Sequence, residues 1–179
     1  MNDLSAENKE KAKSLWDKIA QAKQEHSGLN MHKMVCEASK ELHQILPADP
    51  AAVQMVLVSL IKSRQFDEAI KFLGSSADYK KVHKFEHAYI LHRLGRNKEA
   101  LDKLKSIPAN DRSQIEIKYS LLLSQVSYKL FDYEQSSEHY EKVLQNNAKN
   151  QGKMADEGQE QAALEKDEVI DIVTNYFAC

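Results

Sequence analysis

Glycine and proline are scarce, with 5 and 3 in 179 residues. A β-rich chain spends both at its many turns, so their scarcity speaks against a sandwich or barrel and for helices. Cysteine is scarcer still. Cys36 and Cys179 are too few and too far apart for a metal-ligand motif or a disulfide framework. Free thiols in a helical chain suit a reducing compartment such as the cytosol. No apolar run nears the roughly 18 residues of a membrane-spanning helix, and the longest, Met55 to Leu60, is interrupted by Ser59. The polar start MNDLSAENKEKAK has no apolar centre and does not read as a secretory signal. A dominant sign of charge is also missing. The formal net charge of −2 argues against a dedicated nucleic-acid binder, which needs a cationic surface to displace counterions. There is no G-x-S-x-G elbow, no glycine-rich phosphate loop and no H-E-x-x-H. The chain is therefore not read as an enzyme, and no cofactor is expected.

What the chain does have is helical periodicity arranged in hairpins. Between Phe85 and Ile107, Ala88, Leu91 and Leu94 mark one apolar face, and Ala100, Leu101, Leu104 and Ile107 mark a second, at helical spacing. Gly95 between them tolerates the positive φ that ends a helix, and Pro108 stops the second helix. The pattern recurs upstream, from Val56 to Gly74, and downstream, from Leu121 to Leu144. The small residues Ala69, Ala100 and Ser136 occupy the same place in each hairpin, 31 and 36 positions apart. Those intervals bracket the roughly 34-residue period of a tetratricopeptide repeat (TPR). The predicted fold is all-α, a right-handed α-solenoid of stacked helix-turn-helix units.

Along the chain, residues 1–8 are expected to be disordered and residues 9–145 to hold about four helix pairs. The first pair is divergent. Its first helix, from about Lys9 to Gln24, turns Leu15, Ile19 and Ala22 to one face with Trp16 beside them. Its second, from Met31 to Leu46, turns Met34, Val35, Ala38, Leu42 and Ile45 inward, with Cys36 near the small-residue position. Trp16 reads equally well as the large residue opening a repeat or as an end-cap aromatic. Asp49 is a candidate N-cap with Pro50 at the first helical position. The stretches GSSADYKK and PANDRSQ are connectors. Residues 146–166 read as a mobile polar connector. Residues 167–179 read as the first helix of a further pair or a terminal cap, and the chain is favoured to be a fragment.

Stacked pairs of this kind curve, and the first helix of each pair lines the concave side. That geometry selects Gln54, Val58, Ile61 and Lys62, then Phe85, Tyr89, His92 and Arg93, then Leu121, Gln125, Tyr128 and Lys129. Aromatic anchors with a cationic rim suit a protein partner; for Phe85 and Leu121, inter-repeat core is an equal reading. The face carries Gln54, Val58 and Phe85 where carboxylate-gripping co-chaperones place Lys and Asn. His83, His87 and Glu86 are read as ordinary helix-surface residues rather than a metal site, since Glu86 points elsewhere and further ligands are missing. The basic stretch from Lys80 to Lys105 reads first as solvated charge, with a groove for an acidic or mixed peptide, or RNA, as the competing readings.

Three stretches carry a family resemblance: Val58, Leu60-Ile61, Phe66 and Glu68-Ala69-Ile70; then Phe85-Glu86, Ala88-Tyr89, Arg93-Leu94, Arg96 and Ala100-Leu101; then Gln125-Val126, Tyr128-Lys129-Leu130, Tyr133-Glu134 and Tyr140. Together, over roughly residues 50–145, they resemble the N-terminal TPR region of the 72-kDa protein of the eukaryotic signal recognition particle. The resemblance implies a docking module that holds the C-terminal segment of the 68-kDa partner protein in its concave groove. It implies a role in co-translational targeting to the endoplasmic reticulum, a cytoplasmic location with association at that membrane and nucleolar assembly, and no membrane insertion. RNA would be met only indirectly, because the family's lysine-rich RNA-contacting stretch has no counterpart here. The acidic, Gln-rich segment 146–166 departs from the family pattern. The alternative is a TPR adaptor of another cytosolic complex, co-chaperone or coat-like, with a different peptide ligand. Whether the chain self-associates through residues 167–179 is left open by the sequence.

Overall fold

A computed structural model of the chain describes residues 5–25 and 28–154. All regular structure among them is helical. The helices are α1 (Ala6–Glu25), α2 (Gly28–Ile45), α3 (Pro50–Lys62), α4 (Phe66–Gly74), α5 (Ala77–Val82), α6 (Lys84–Arg93), α7 (Asn97–Lys105), α8 (Ala109–Gln114), α9 (Glu116–Lys129) and α10 (Tyr133–Met154). They form two compact units, divided between Val82 and His83. The first holds α1 to α5 and the second α6 to α10.

Three helix ends explain the hairpins. α3, α6 and α9 each stop at a residue with positive φ: Arg64 (61°), Gly95 (77°) and Phe131 (64°). Positions 64, 95 and 131 lie 31 and 36 residues apart, the intervals of the small residues. In each turn the following residue reaches back five positions: Gln65 N to Leu60 O at 2.9 Å, Arg96 N to Leu91 O at 2.8 Å, and Asp132 N to Ser127 O at 3.0 Å. The positive-φ residue itself donates three positions back, to Ile61, His92 and Tyr128. This paired bonding satisfies carbonyls that a helix end leaves open, and it reverses the chain within two residues. Ala69, Ala100 and Ser136 then sit fully buried where the second helix crosses the first. The Ser136 hydroxyl donates to Ser124 O at 3.0 Å.

In the first unit, α1 and α2 pack through Leu15, Ile19, Ala22, Val35, Ala38 and Leu42, with Trp16 half-buried against them. Met34, expected inward, is 37% exposed; Val35 and Ala38 beside it already fill the contact face. Cys36 is buried at its packing position. Asp49 caps α3 as expected, its Oδ1 accepting from Ala51 N at 2.7 Å and Ala52 N at 3.2 Å, with Pro50 opening the helix. In the second unit, Leu104, Ile90, Leu91, Val126 and Tyr140 are almost completely enclosed. Each such burial contributes about 1.5–3 kcal/mol.

The structure differs from the sequence expectation in its edges. α1 begins at Ala6, within the stretch expected to be disordered. Both connectors contain a short helix, α5 and α8. α10 runs on through Met154, so residues 146–154 are helical where a connector was expected; mid-helix polarity alone does not end a helix, and no proline or positive-φ residue intervenes. Residues 155–179, including the expected helix over 167–179, lie outside the described residues.

Candidate functional site

The twelve residues selected from the sequence are all at least partly accessible, whereas Val53, Val56, Leu57 and Leu60 on the other side of α3 are buried. Four of the twelve belong to the first unit and eight to the second.

On α3, Gln54 and Lys62 are exposed and Val58 and Ile61 are half-buried. Val58 and Lys62 open onto a recess of about 370 Å³ between α1, α2 and α3. Met31, Val35, Met55 and Val58 supply its apolar wall, and Lys23, His32 and Lys62 supply three nitrogen-bearing side chains. The Lys23 Nζ lies 3.8 Å from the Met55 sulfur. Burial first, and then the neighbouring Lys62 charge, hold the His32 pKa below its ordinary value. The sequence reading found Val58 and Lys62 but not Lys23, Met31, His32 or Met55. Lys23 comes from α1, and Met31 and His32 from the first turns of α2, so packing brings these three to α3; Met55 lies on α3 itself, one turn from Val58.

A second recess of about 320 Å³ lies on another face of the same unit, beside His43 and Phe72. The Lys40–Glu68 ion pair, 2.6 Å apart, spans it. Phe72 stacks on Tyr79 at 5.4 Å, and the Tyr79 hydroxyl donates to Pro47 O at 3.0 Å. This surface is largely occupied with its own contacts.

In the second unit, Phe85, Tyr89 and His92 are half-buried on α6 and Arg93 is exposed. Arg93 Nη1 donates to the Tyr89 hydroxyl at 3.2 Å, and its guanidinium carbon lies 5.9 Å from the Tyr89 ring centre. The pair thus presents a cation held over an aromatic face. His92 Nδ1 and Asn97 Oδ1 are 2.8 Å apart across the Gly95 turn. Burial holds the His92 pKa low; the Asn97 bond opposes this, and the charges of Arg93 and Lys129 add to it. The charges of Arg93 on α6 and Lys129 on α9 thus both act on the His92 ring.

On α9, Gln125 and Tyr128 are half-buried and Lys129 is exposed. The Tyr128 ring meets Tyr133 edge-on at 5.6 Å, and Tyr133 meets Phe131 at 6.3 Å. Phe131 is 77% exposed, and its φ of 64° is an outlying backbone conformation for a bulky side chain. The sequence reading named Tyr133 among the residues of the family resemblance, not as a site residue, and passed over Phe131. Leu121 packs on Tyr140 and Val143 and therefore serves the core, the reading left open for it.

His83 and His87 are buried rather than on the surface, and Glu86 lies toward His83, with Oε2 3.9 Å from Nδ1, rather than elsewhere on the helix. A three-residue step along α6 puts the two side chains on neighbouring positions of one face. Among the described residues, no group of three or more His, Cys, Asp or Glu side chains is placed to hold a metal ion. In the basic stretch, Lys84 Nζ donates to Ser106 O at 2.9 Å and Arg96 grips Glu99 through two bonds of 2.7 and 2.6 Å, so two of its cations are already engaged. Among the described residues, no helix is long and apolar enough to cross a membrane.

No protein-family model matches this chain. Over 100 residues, 56% of the chain, it is 29% identical to the signal recognition particle subunit SRP72 of Schistosoma mansoni. That stretch is 13% of the length of the subunit, so the chain spans a small part of that relative. The regular structure of the described residues is helical, and the chain is similar to part of SRP72.

Proposed function

We propose that the chain is a TPR-type scaffold segment of an SRP72-like protein, which docks the C-terminal segment of the 68-kDa signal recognition particle protein. It would act in the cytosol, in a particle that delivers translating ribosomes to the endoplasmic reticulum. The likeness to SRP72 over 100 residues carries this reading. Three further features support it: the recurring turn at positions 64, 95 and 131, the small residue buried in each hairpin, and the aromatic and cationic side chains left accessible on α6 and α9. Catalysis has no part in the proposal. The chain's task is to hold a partner segment.

Calorimetric titration with the C-terminal part of the 68-kDa protein, at two salt concentrations, tests it. Binding that persists at the higher salt supports the scaffold reading. Failure to bind, with helicity intact by circular dichroism, overturns the named partner. Within such a complex, Tyr89→Ala and Tyr128→Ala should each weaken binding by at least about 1 kcal/mol, the usual threshold of an anchoring aromatic. Loss of helicity in either variant would reassign that tyrosine to the core.

A further inference from the structure

The recess between α1, α2 and α3 has the composition of a site for a particular kind of peptide. Its volume, about 370 Å³, is near the lower end of the roughly 300–1,000 Å³ typical of ligand sites. Two methionines and two valines make its apolar wall. Methionine side chains are unbranched and polarizable, and they adapt to differently shaped aliphatic groups. Among the described residues, each ionisable side chain that lines it is a nitrogen base: Lys23 from α1, His32 from α2 and Lys62 from α3. Lys23 and Lys62 are exposed while Met31, Met55 and Val58 are half-buried, so the charges ring an apolar centre. Among the described residues, no Phe, Tyr or Trp side chain lines the recess as a stacking platform for a nucleic-acid base.

We propose that this recess binds an acidic peptide segment of a partner protein, seating an aliphatic side chain against Met31, Met55 and Val58 with flanking carboxylates held by Lys23, His32 and Lys62. The proposal rests on the reading of the chain as a peptide-holding scaffold, and it specifies the chemistry of the segment that the first unit takes. The argument for this occupant is charge complementarity: two lysine ammonium groups, with the His32 ring beside them as a hydrogen-bond donor, converge from three helices, and among the described residues no carboxylate lines the recess. Opposed charges of this kind choose the partner and speed its approach. The apolar centre then favours a segment that alternates acids with Leu, Ile or Val.

The methionines report on the site directly. In the full chain with carbon-13-labelled methionine methyls, the probe is a synthetic peptide of alternating Glu and Leu; the control replaces each Glu with Gln. The Met31 and Met55 methyl signals should shift and saturate with the acidic peptide, while Met34, which does not line the recess, stays in place. The Gln peptide should bind at least about fivefold more weakly. The variant Lys23→Gln/Lys62→Gln, which alters exposed side chains only, should show a loss of similar size. Equal shifts with both peptides, or none with either, overturn the proposal. If neutralising Asp167, Glu168 and Asp171 moves Met31 and Met55 without any peptide, the occupant is the chain's own acidic stretch and the partner assignment falls. None of these outcomes depends on the 68-kDa protein. Titration with that protein can fail while the recess stands, and the recess can fail while that titration succeeds.

Discussion

The turn after α6 and the turn after α9 make the same two backbone bonds around the same kind of left-handed residue. One uses glycine, the other a phenylalanine that is 77% exposed. The difference teaches that the bonding of the helix end fixes the backbone here, and that the residue adapts to it. Glycine enters the left-handed region without steric penalty. An L-residue with a Cβ pays about 1–2 kcal/mol there. The turn after α9 accepts that strain and gains an accessible aromatic next to Tyr133 and Tyr128. The turn after α3 makes the same choice with Arg64.

The largest expected effect comes from removing the shared bond. Arg96→Pro and Asp132→Pro each delete the N–H that reaches Leu91 or Ser127. Each should lower stability by about 3 kcal/mol, read as a lower urea midpoint by circular dichroism. Equal losses would show that both turns depend on the same bond; a small loss at either would break the equivalence.

Next in size is Gly95→Ala. No atom stands within 4 Å of the added Cβ, so its effect isolates the backbone preference. Stability should fall by about 1 kcal/mol. In the opposite direction, Phe131→Gly and Arg64→Gly should each raise stability by about 0.5–1 kcal/mol, the relief of strain less the added freedom of the unfolded chain. If Phe131→Gly brings no gain while Arg64→Gly does, the ring contact with Tyr133 is offsetting the strain.

The smallest effect separates the turns by pH. The turn after α6 is bridged by His92 and Asn97, and the turn after α9 by Ser127 Oγ donating to Gln135 Oε1 at 2.7 Å, which does not titrate. Because burial holds the His92 pKa below 6.5, the unfolded chain takes up its proton more readily than the folded one. The stability that His92 contributes is present above about pH 6.5 and is lost as the pH falls below it. His139 is shifted in the same direction by burial, so the comparison needs His92→Gln. The fall in urea midpoint between pH 7.5 and 5.5 should be shallower in that variant than in the parent chain. An identical fall would place the acid sensitivity elsewhere.

Helix periodicity made the all-α class, the hairpin at Gly95, the Asp49 cap and the buried small residues legible before any coordinates. These features depend on neighbours in sequence. The left-handed Arg64 and Phe131 were not legible, because the conformation arises from bonds the helix end makes and leaves no glycine as a signal. Met34 was misplaced because periodicity gives a face but not its width. The surface residues on α6 and α9 were recoverable from helix phase, and the cationic recess of the first unit only in part. Lys23, His32 and Lys62 are separated by 9 and 30 positions, and no local pattern announces that they converge.

Among the described residues, seven serines are buried: Ser39, Ser59, Ser63, Ser120, Ser124, Ser127 and Ser136. Several turn their hydroxyls back to helix carbonyls, as Ser59 does to Val56 O at 2.9 Å and Ser63 to Ser59 O at 2.7 Å. A kinase that meets the folded chain finds these hydroxyls closed. Phosphate at Ser136 would bring a charge of about −1.5 to −2 into a contact that admits only a small side chain. Any phosphate on these seven positions therefore marks a molecule reached before its helices paired, and its presence would record the timing of folding rather than the state of the finished scaffold.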